Sequence, residues 1–194
     1  MKKIIIILAF VFGFSGIINA AEQGQMKFGV EIGWSPVDLE AEKTAQELAN
    51  LSGSTVVVTY DAGSFVGRIF GEYGVSSNLG LEVGYFQTSS ADAKYTIGSD
   101  SASESYDASG LDVSAVFRSS DGFFGKVGMH SSTVDGAASL VIGGTTYAVT
   151  GSRDGGGALF GLGFEEDGIR YSATHYLDVG DTTDYTLFSV GFLF

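Results

Sequence analysis

Residues 79–85 read Leu-Gly-Leu-Glu-Val-Gly-Tyr, with a large apolar side chain at every second position. Successive side chains of a β-strand point to opposite faces of the sheet, so this period of two predicts a strand with two different faces. One face carries only large apolar groups. The other carries two glycines and Glu82, which suits close packing inside a narrow barrel.

The same alternation recurs in seven further segments. The segment at residues 65–73 shows it least clearly, and there we place Ile69 and Tyr73 outward and Arg68 and Glu72 inward. The outward residues of the other six segments are Phe28, Val30, Ile32, Trp34, Leu111, Val113, Ala115, Phe117, Phe123, Val127, Met129, Phe160, Leu162, Phe164, Ile169, Tyr171, Ala173, Phe188, Val190, Phe192 and Phe194.

The connections between these eight strands alternate in length. Short turns are expected at residues 74–78, 119–122 and 166–168, and longer polar segments at residues 35–62, 88–108, 131–155 and 178–184. Short turns at one end and long loops at the other are typical of outer-membrane barrels, as are aromatic residues at the strand ends. A sheet in lipid must close, because an open edge leaves backbone groups without water. We therefore predict an all-β protein, an eight-stranded antiparallel up-and-down transmembrane β-barrel.

The long segments contain local patterns of their own. Residues 37–51 predict a short helix, with Ser35 as a possible N-cap and Pro36 at the first helical position. Residues 55–60 predict a strand above the membrane, and residues 137–150 predict a hairpin with a Gly-Gly turn.

The N-terminus predicts export. Lysines at positions 2 and 3 precede an apolar run at residues 4–18, and the small residue Ala20 stands at the expected cleavage point. This order is that of a secretory signal peptide. We assign residues 1–20 to the signal peptide and residues 21–194 to the barrel domain.

The composition of residues 21–194 argues against several functions. They hold eight basic and 23 acidic residues, a net charge of −15, which argues against nucleic acid as a partner. The chain has no cysteine, so it has neither a disulfide framework nor a thiolate metal site. The acidic segment with Asp178, Asp181 and Asp184 lacks the ligand spacing of a calcium-binding loop. We expect no cofactor and no metal.

Charged residues from several strands fall on the inward face. A charge inside a narrow barrel loses its hydration, so these groups need partners within the barrel. Two interpretations remain open: the pairs form a plug that fixes the barrel, or their rearrangement gates a thin water path. The predicted lumen charge network comprises Arg68, Glu72, Glu82, Lys126, Glu165 and Arg170.

Motifs of one family occur at residues 68–73, 81–85, 124–128, 156–164, 168–171 and 189–194. They resemble the small porin-like barrels of the opacity-protein and OmpA type, and the resemblance spans nearly all of residues 21–194. It implies a location in the outer membrane of a diderm bacterium, in contact with outer-membrane lipids. It also implies a membrane-insertion signal that the barrel-assembly machinery reads, formed by Phe188, Val190, Phe192 and Phe194. Since the sequence ends at Phe194, we expect no periplasmic peptidoglycan-binding domain.

His130 and Ser132 are the candidates for catalysis. Their spacing is similar to that of lipid A deacylases, which need a serine nucleophile, a histidine base and an orienting carboxylate. No carboxylate occurs at residues 142–145, where the third group would be expected, and Asp135 could replace it only if the loop folded back. We therefore expect a rim histidine beside a serine-rich loop, and no catalytic residue. His175 is expected to face outward in the headgroup region.

The predicted function is structural and surface-exposed. We expect a monomeric, non-enzymatic barrel whose loops at residues 35–62, 88–108 and 131–155 serve adhesion or bind an extracellular ligand. One alternative is a narrow porin-like channel for small solutes that uses the lumen charges. The other is a lipid-modifying enzyme centred on His130 and Ser132. A fold-level resemblance does not choose among these functions.

Overall fold

The computed structural model describes residues 23–37, 39–181 and 183–194, and the predicted signal peptide at residues 1–20 lies outside them. In the described part, no helix is long and apolar enough to cross a membrane. Its ten strands and one helix are, in chain order, β1 (Met26–Pro36), α1 (Ala41–Ser52), β2 (Val57–Tyr60), β3 (Gly63–Ser76), β4 (Leu79–Thr88), β5 (Ala91–Ile97), β6 (Asp100–Arg118), β7 (Phe123–Ile142), β8 (Thr145–Glu166), β9 (Ile169–Val179) and β10 (Thr183–Leu193).

Eight of these described strands close into an antiparallel ring. The order is β1-β3-β4-β6-β7-β8-β9-β10, and β10 returns to pair with β1. The closing seam runs from Gly29 opposite Leu193 to Trp34 opposite Phe188. Each of the eight predicted segments forms one strand of this ring, so the predicted eight-stranded up-and-down barrel is confirmed.

The polarity of the barrel is the reverse of that of a water-soluble protein. Large apolar side chains cover its outer face, where Phe28 and Val127 are more than half exposed. Charged side chains such as Glu72 and Arg170 lie on the inner face with no exposure. An apolar exterior around a polar interior is the arrangement of a barrel that spans a lipid bilayer.

The lower end of the barrel has the short turns that the sequence predicts. The turn between β8 and β9 consists of Asp167 and Gly168, both with positive φ, 49° and 78°. Two such residues form the tight turn that matches the twist of a β-hairpin. The turns at residues 77–78 and 119–122 are similarly short.

The predicted start of the helix is wrong. Ser35 and Pro36 continue β1, where they pair with Ser64 and Gly63, and α1 begins only at Ala41. The residue before the helix is Glu40, whose left-handed backbone (φ 47°) makes a sharp bend and whose side chain gives no capping hydrogen bond. Strand pairing with β3 therefore prevails over the local capping pattern.

Above the barrel the chain forms an open five-stranded sheet, which we call the upper sheet. It consists of β2, β5, and the upper parts of β6 (residues 100–109), β7 (residues 131–142) and β8 (residues 145–157), in the order β2-β5-β6-β7-β8. The predicted strand near residues 55–60 and the predicted hairpin at residues 137–150 are both confirmed. Most of the segments expected as loops at residues 88–108 and 131–155 are therefore regular strands.

Candidate functional site

The lumen brings all six predicted charged residues together. Five of them are buried and Glu165 is half-buried, and each contacts at least one partner of opposite charge. The alternation of the strands places these side chains inward. The glycines of the opening stretch make room for them, since a Cβ on Gly80 would overlap the Glu72 carboxylate and one on Gly84 would overlap the Arg68 guanidinium.

Arg68 is the centre of one half of the network. Its Nε and Nη2 donate to both carboxylate oxygens of Asp112, at 2.9 and 2.6 Å. Its Nη1 donates to Glu31 at 3.0 Å, and its Nη2 donates to Glu82 at 2.7 Å. One guanidinium thus joins strands β1, β3, β4 and β6 across the lumen. Bidentate pairs of this kind are directional and strong.

Two further arginines organise the other half. Arg118 binds Glu72 and Glu165, each through two donors, at distances between 2.5 and 3.0 Å. Arg170 donates to Glu165 at 2.8 Å from Nε, to Glu72 at 3.1 Å from Nη2, and to Glu82 from Nη1. Glu82 therefore connects the two halves, because it binds both Arg68 and Arg170.

The sequence interpretation missed four members of this set: Lys27, Glu31, Asp112 and Arg118. All four lie on inward positions of their strands, and the alternation alone was the signal that could have found them. With them, the inward charges of the described residues are five cations and five anions, so the lumen is neutral. The excess negative charge of the chain lies outside the lumen.

Lys126 differs from the arginines. Its ammonium lies 3.6 Å from Glu82 Oε1 and makes no hydrogen bond, although the side chain is fully buried. Ser114 Oγ and Thr174 Oγ1 are also buried without a hydrogen-bond partner. Glu31 Oε1 and His130 Nδ1 are two more such atoms among the described residues. Buried polar groups without hydrogen-bond partners are costly.

An apolar layer fills the lumen above the charges. The Phe86 and Tyr176 rings lie 5.1 Å apart, and the Tyr176 hydroxyl donates to Asp112 at 3.3 Å, which links the layer to the network. Phe70 lies within the charge network, with the Arg68 and Arg170 guanidinium carbons 4.9 and 4.4 Å from its ring centre. The buried residues of the layer are Val66, Phe86, Ala108, Leu159, Tyr176, Val179, Tyr185 and Leu187.

The upper sheet has two unlike faces. On one face α1 packs through Ala41 and Ala45 against Ala93 and Tyr95, so the β2–β5 side is covered. The same face continues uncovered over β6, β7 and β8 with five large, exposed side chains. These are Tyr106, Leu140, Ile142, Tyr147 and Val149.

Glu104 holds the covered and uncovered parts together. Its carboxylate accepts a hydrogen bond from Tyr95 at 2.6 Å and another from Tyr106 at 3.0 Å. Burial, together with this carboxylate, raises the pKa of Tyr95 to about 12. The opposite face of the sheet is rich in serine and threonine, and Ser103 and Ser139 bond across it at 2.8 Å.

The comparisons with known proteins concern the fold. No protein-family model matches the chain, and no curated protein matches it in sequence. The chain is similar in structure to the outer membrane protein OprG from Pseudomonas aeruginosa, at 8% identity and a TM-score of 0.50 over 91% of this chain and 99% of that one. The chain has the fold of an eight-stranded outer-membrane β-barrel.

Two other solved barrels have lower TM-scores. Ail, the attachment invasion locus protein of Yersinia pestis, matches at 12% identity with a TM-score of 0.47, over 89% of this chain and 99% of that one. The N-terminal β-barrel domain of OprF from Pseudomonas aeruginosa matches at 15% identity with a TM-score of 0.41, over 89% and 100%.

The barrel places His130 inside the lumen and not at an open rim. His130 is buried beside Tyr176, and its Nε2 lies 2.6 Å from the Leu177 carbonyl oxygen. Ser132 Oγ accepts from the Gly180 N–H at 3.1 Å. Each side chain is thus bound to backbone and not to the other, while Asp135 is exposed on the far face of the sheet. The prediction of a rim histidine is therefore wrong, because the strand alternation continues through residue 130.

The predicted insertion signal lies at the closing seam. Phe188, Val190 and Phe192 point outward from β10 and are 38–51% exposed. Phe194 follows the strand, and its backbone exchanges hydrogen bonds with Phe28 of β1 at 2.7 and 3.1 Å. The last residue thus extends the seam, and its role as a signal stays a prediction.

The remaining candidates lie at the top of β9 and β10. His175 faces outward as expected, with its ring 5.0 Å from the Phe160 ring and its Nδ1 2.8 Å from Thr186 Oγ1. Asp178 and Asp181 adopt positive φ in the turn that follows. Among the described residues, no group of three or more His, Asp or Glu side chains could hold a metal ion.

Proposed function

We propose that the barrel is a non-enzymatic scaffold that holds the upper sheet outside the cell as a binding surface. The observation that carries this proposal is the order of the upper sheet. Residues 100–109, 131–142 and 145–157 continue the barrel strands upward in register, and α1 packs on the adjoining strands β2 and β5. A surface built on strands that are fixed in a barrel is better suited to specific binding than a mobile loop.

The exposed side chains support the same proposal. Tyr106, Leu140, Tyr147 and Val149 share one uncovered face, and Tyr and other large apolar groups are typical of interface centres. The lumen offers no comparable surface, since ion pairs and an apolar layer occupy it. In this proposal the lumen charges stabilise the barrel and the upper sheet meets the partner.

The contacts of His130 and Ser132 support a non-enzymatic role. A serine nucleophile needs its base within hydrogen-bond reach, whereas Ser132 is bound to the Gly180 N–H and His130 to the Leu177 carbonyl. A narrow channel is the second candidate. The Lys126 ammonium favours it, because this charge is buried and has no hydrogen bond, so water that entered the lumen would bind to it readily.

A hairpin deletion tests the proposal. Gly136 and Gly151 are opposite each other in β7 and β8, so residues 137–150 can be replaced by Asn-Gly without a change of register. The assay measures the retention of cells under flow on glass coated with mucin, collagen or serum, and on a layer of the same cells. Cells that display the full barrel should be retained on at least one of these surfaces at least tenfold better than cells with the shortened barrel. Heat-dependent gel mobility shows whether both variants are folded. Equal retention of the two on every surface would refute the proposal.

A further inference from the structure

The upper sheet is open and therefore has two edges. One edge is β2, which has only four residues and lies beside α1. The other is the upper part of β8, whose pairing with β9 begins only at Leu159. Residues 145–154 of this edge are all exposed, while Gly155 already packs against the turn at Gly180 and Asp181.

The β8 edge lacks the features that usually prevent strands from pairing. Natural edge strands are kept short or carry lysine, proline or a bulge. Residues 145–153 read Thr-Thr-Tyr-Ala-Val-Thr-Gly-Ser-Arg, with no proline, no lysine and one charge, and their pairing with β7 is continuous. A long, regular strand edge of this composition is a template for the addition of another strand.

The barrel fixes the direction in which this edge can be used. In every copy β8 runs from its tip toward the membrane, so two copies in one membrane can only set these edges parallel. A two-fold axis along the membrane normal would then place N–H groups opposite N–H groups and C=O groups opposite C=O groups. These pairs cannot form hydrogen bonds. Copies in two facing membranes present the edges in opposite directions, which allows a symmetric antiparallel ladder.

We propose that the β8 edge pairs with the same edge of a second copy held in a facing membrane, so that the barrel joins cell to cell. This inference rests on the proposed function and names its partner. In the register that places Thr150 opposite Thr150, each Tyr147 lies beside an Arg153 of the other copy, a cation–π pair formed twice. Tyr147 and Val149 of both copies then form one continuous apolar face.

Charge sets the conditions for this contact. The segments above the membrane, residues 35–62, 88–108, 131–155 and 178–184, hold 14 acidic and three basic residues. Two such surfaces repel each other over about 30 Å at 0.01 M salt but only about 8 Å at 0.15 M. Pairing should therefore increase with ionic strength, whereas a contact between opposite charges would weaken.

The test uses the absence of cysteine in the chain. Two strains express Thr150→Cys barrels with different epitope tags, and a disulfide dimer that carries both tags can form only between cells. Thr59→Cys is the matched control, because Thr59 is an exposed threonine on the short β2 edge. We expect mixed-tag dimers and co-sedimentation of the two strains at 0.15 M NaCl for Thr150→Cys, and at least tenfold fewer dimers for Thr59→Cys.

A lysine on each edge separates edge pairing from a general change of charge. Val149→Lys should reduce co-sedimentation at least tenfold. Val57→Lys, at a residue of similar exposure on β2, should leave co-sedimentation unchanged. Three results would overturn the inference. They are equal effects of the two lysines, single-tag dimers without any mixed-tag dimers, and less co-sedimentation at higher salt. The same variants can be compared for retention on coated glass. If the hairpin deletion loses retention but Val149→Lys keeps it, the proposed function stands and the edge pairing does not.

Discussion

Replacing Arg68 with methionine should destabilise the barrel by about 3–5 kcal/mol, the usual cost of removing one partner from a buried ion pair. Arg68 is fully buried and donates four hydrogen bonds to three carboxylates. The variant leaves four cations and five anions in the lumen. Glu82 keeps Arg170, but Asp112 keeps only the Tyr176 hydroxyl at 3.3 Å.

The double variant Arg68→Met/Asp112→Leu provides the matched control. It returns the lumen to four cations and four anions and replaces a buried ion pair by apolar groups, a change that is often neutral or stabilising. We therefore expect it to recover at least about 2 kcal/mol relative to Arg68→Met. The coupling between neighbouring residues in one network is what a double-mutant cycle measures.

Urea unfolding of residues 21–194 in lipid vesicles measures both free energies. Trp34 is the single tryptophan of the chain and lies outward at the upper end of β1, so its fluorescence reports when this strand leaves the lipid. Heat-dependent gel mobility confirms that each variant has refolded. An Arg68→Met barrel within about 1 kcal/mol of the parent, or a double variant no more stable than the single one, would refute the stabilising role of the network.

Three further outcomes are expected. The barrel in a planar bilayer should show no conductance steps, and steps that change in Lys126→Ala would instead support the channel. Gly163→Ala should lower the free energy of unfolding by about 1–3 kcal/mol, because its Cβ overlaps the Phe124 ring, whereas Gly151→Ala, with open space around it, should not. Since Tyr95 has a folded pKa of about 12, its contribution to the docking of α1 should be complete below pH ~10 and lost as the pH rises toward 12. The difference between the tyrosinate absorbance of the parent and of Tyr95→Phe measures this, and a Tyr95 that titrates near pH 10 would contradict it.

The sequence predicted the barrel well because lipid allows little choice. A strand that crosses a bilayer must be apolar on one side along its whole length, so residues 79–85 and the seven related segments show their faces directly. The same pattern shows which residues face inward but not at what height. Arg118 is far in sequence from Glu72, and their contact depends on the stagger between β3 and β6.

The region above the membrane was harder to predict for a physical reason. Both faces of its strands meet water, so the alternation is weak, and Ser and Ala dominate residues 101–109. The length of β1 was also hidden, since Ser35 and Pro36 suit a helix start locally but continue the pairing with β3. The position of His130 followed from the alternation, yet the serine-rich stretch after it suggested a rim.

The partition of charge gives the barrel and the upper sheet different responses to salt. Inside, five cations meet five anions at short range and away from water, so salt should change the stability of the barrel little. Above the membrane, acidic residues are in large excess and exposed, so salt should change what the surface binds. A partner drawn by opposite charge would be lost at high salt. A partner that uses backbone hydrogen bonds and the apolar face of β7 and β8 would be gained, which makes ionic strength the variable that separates the two.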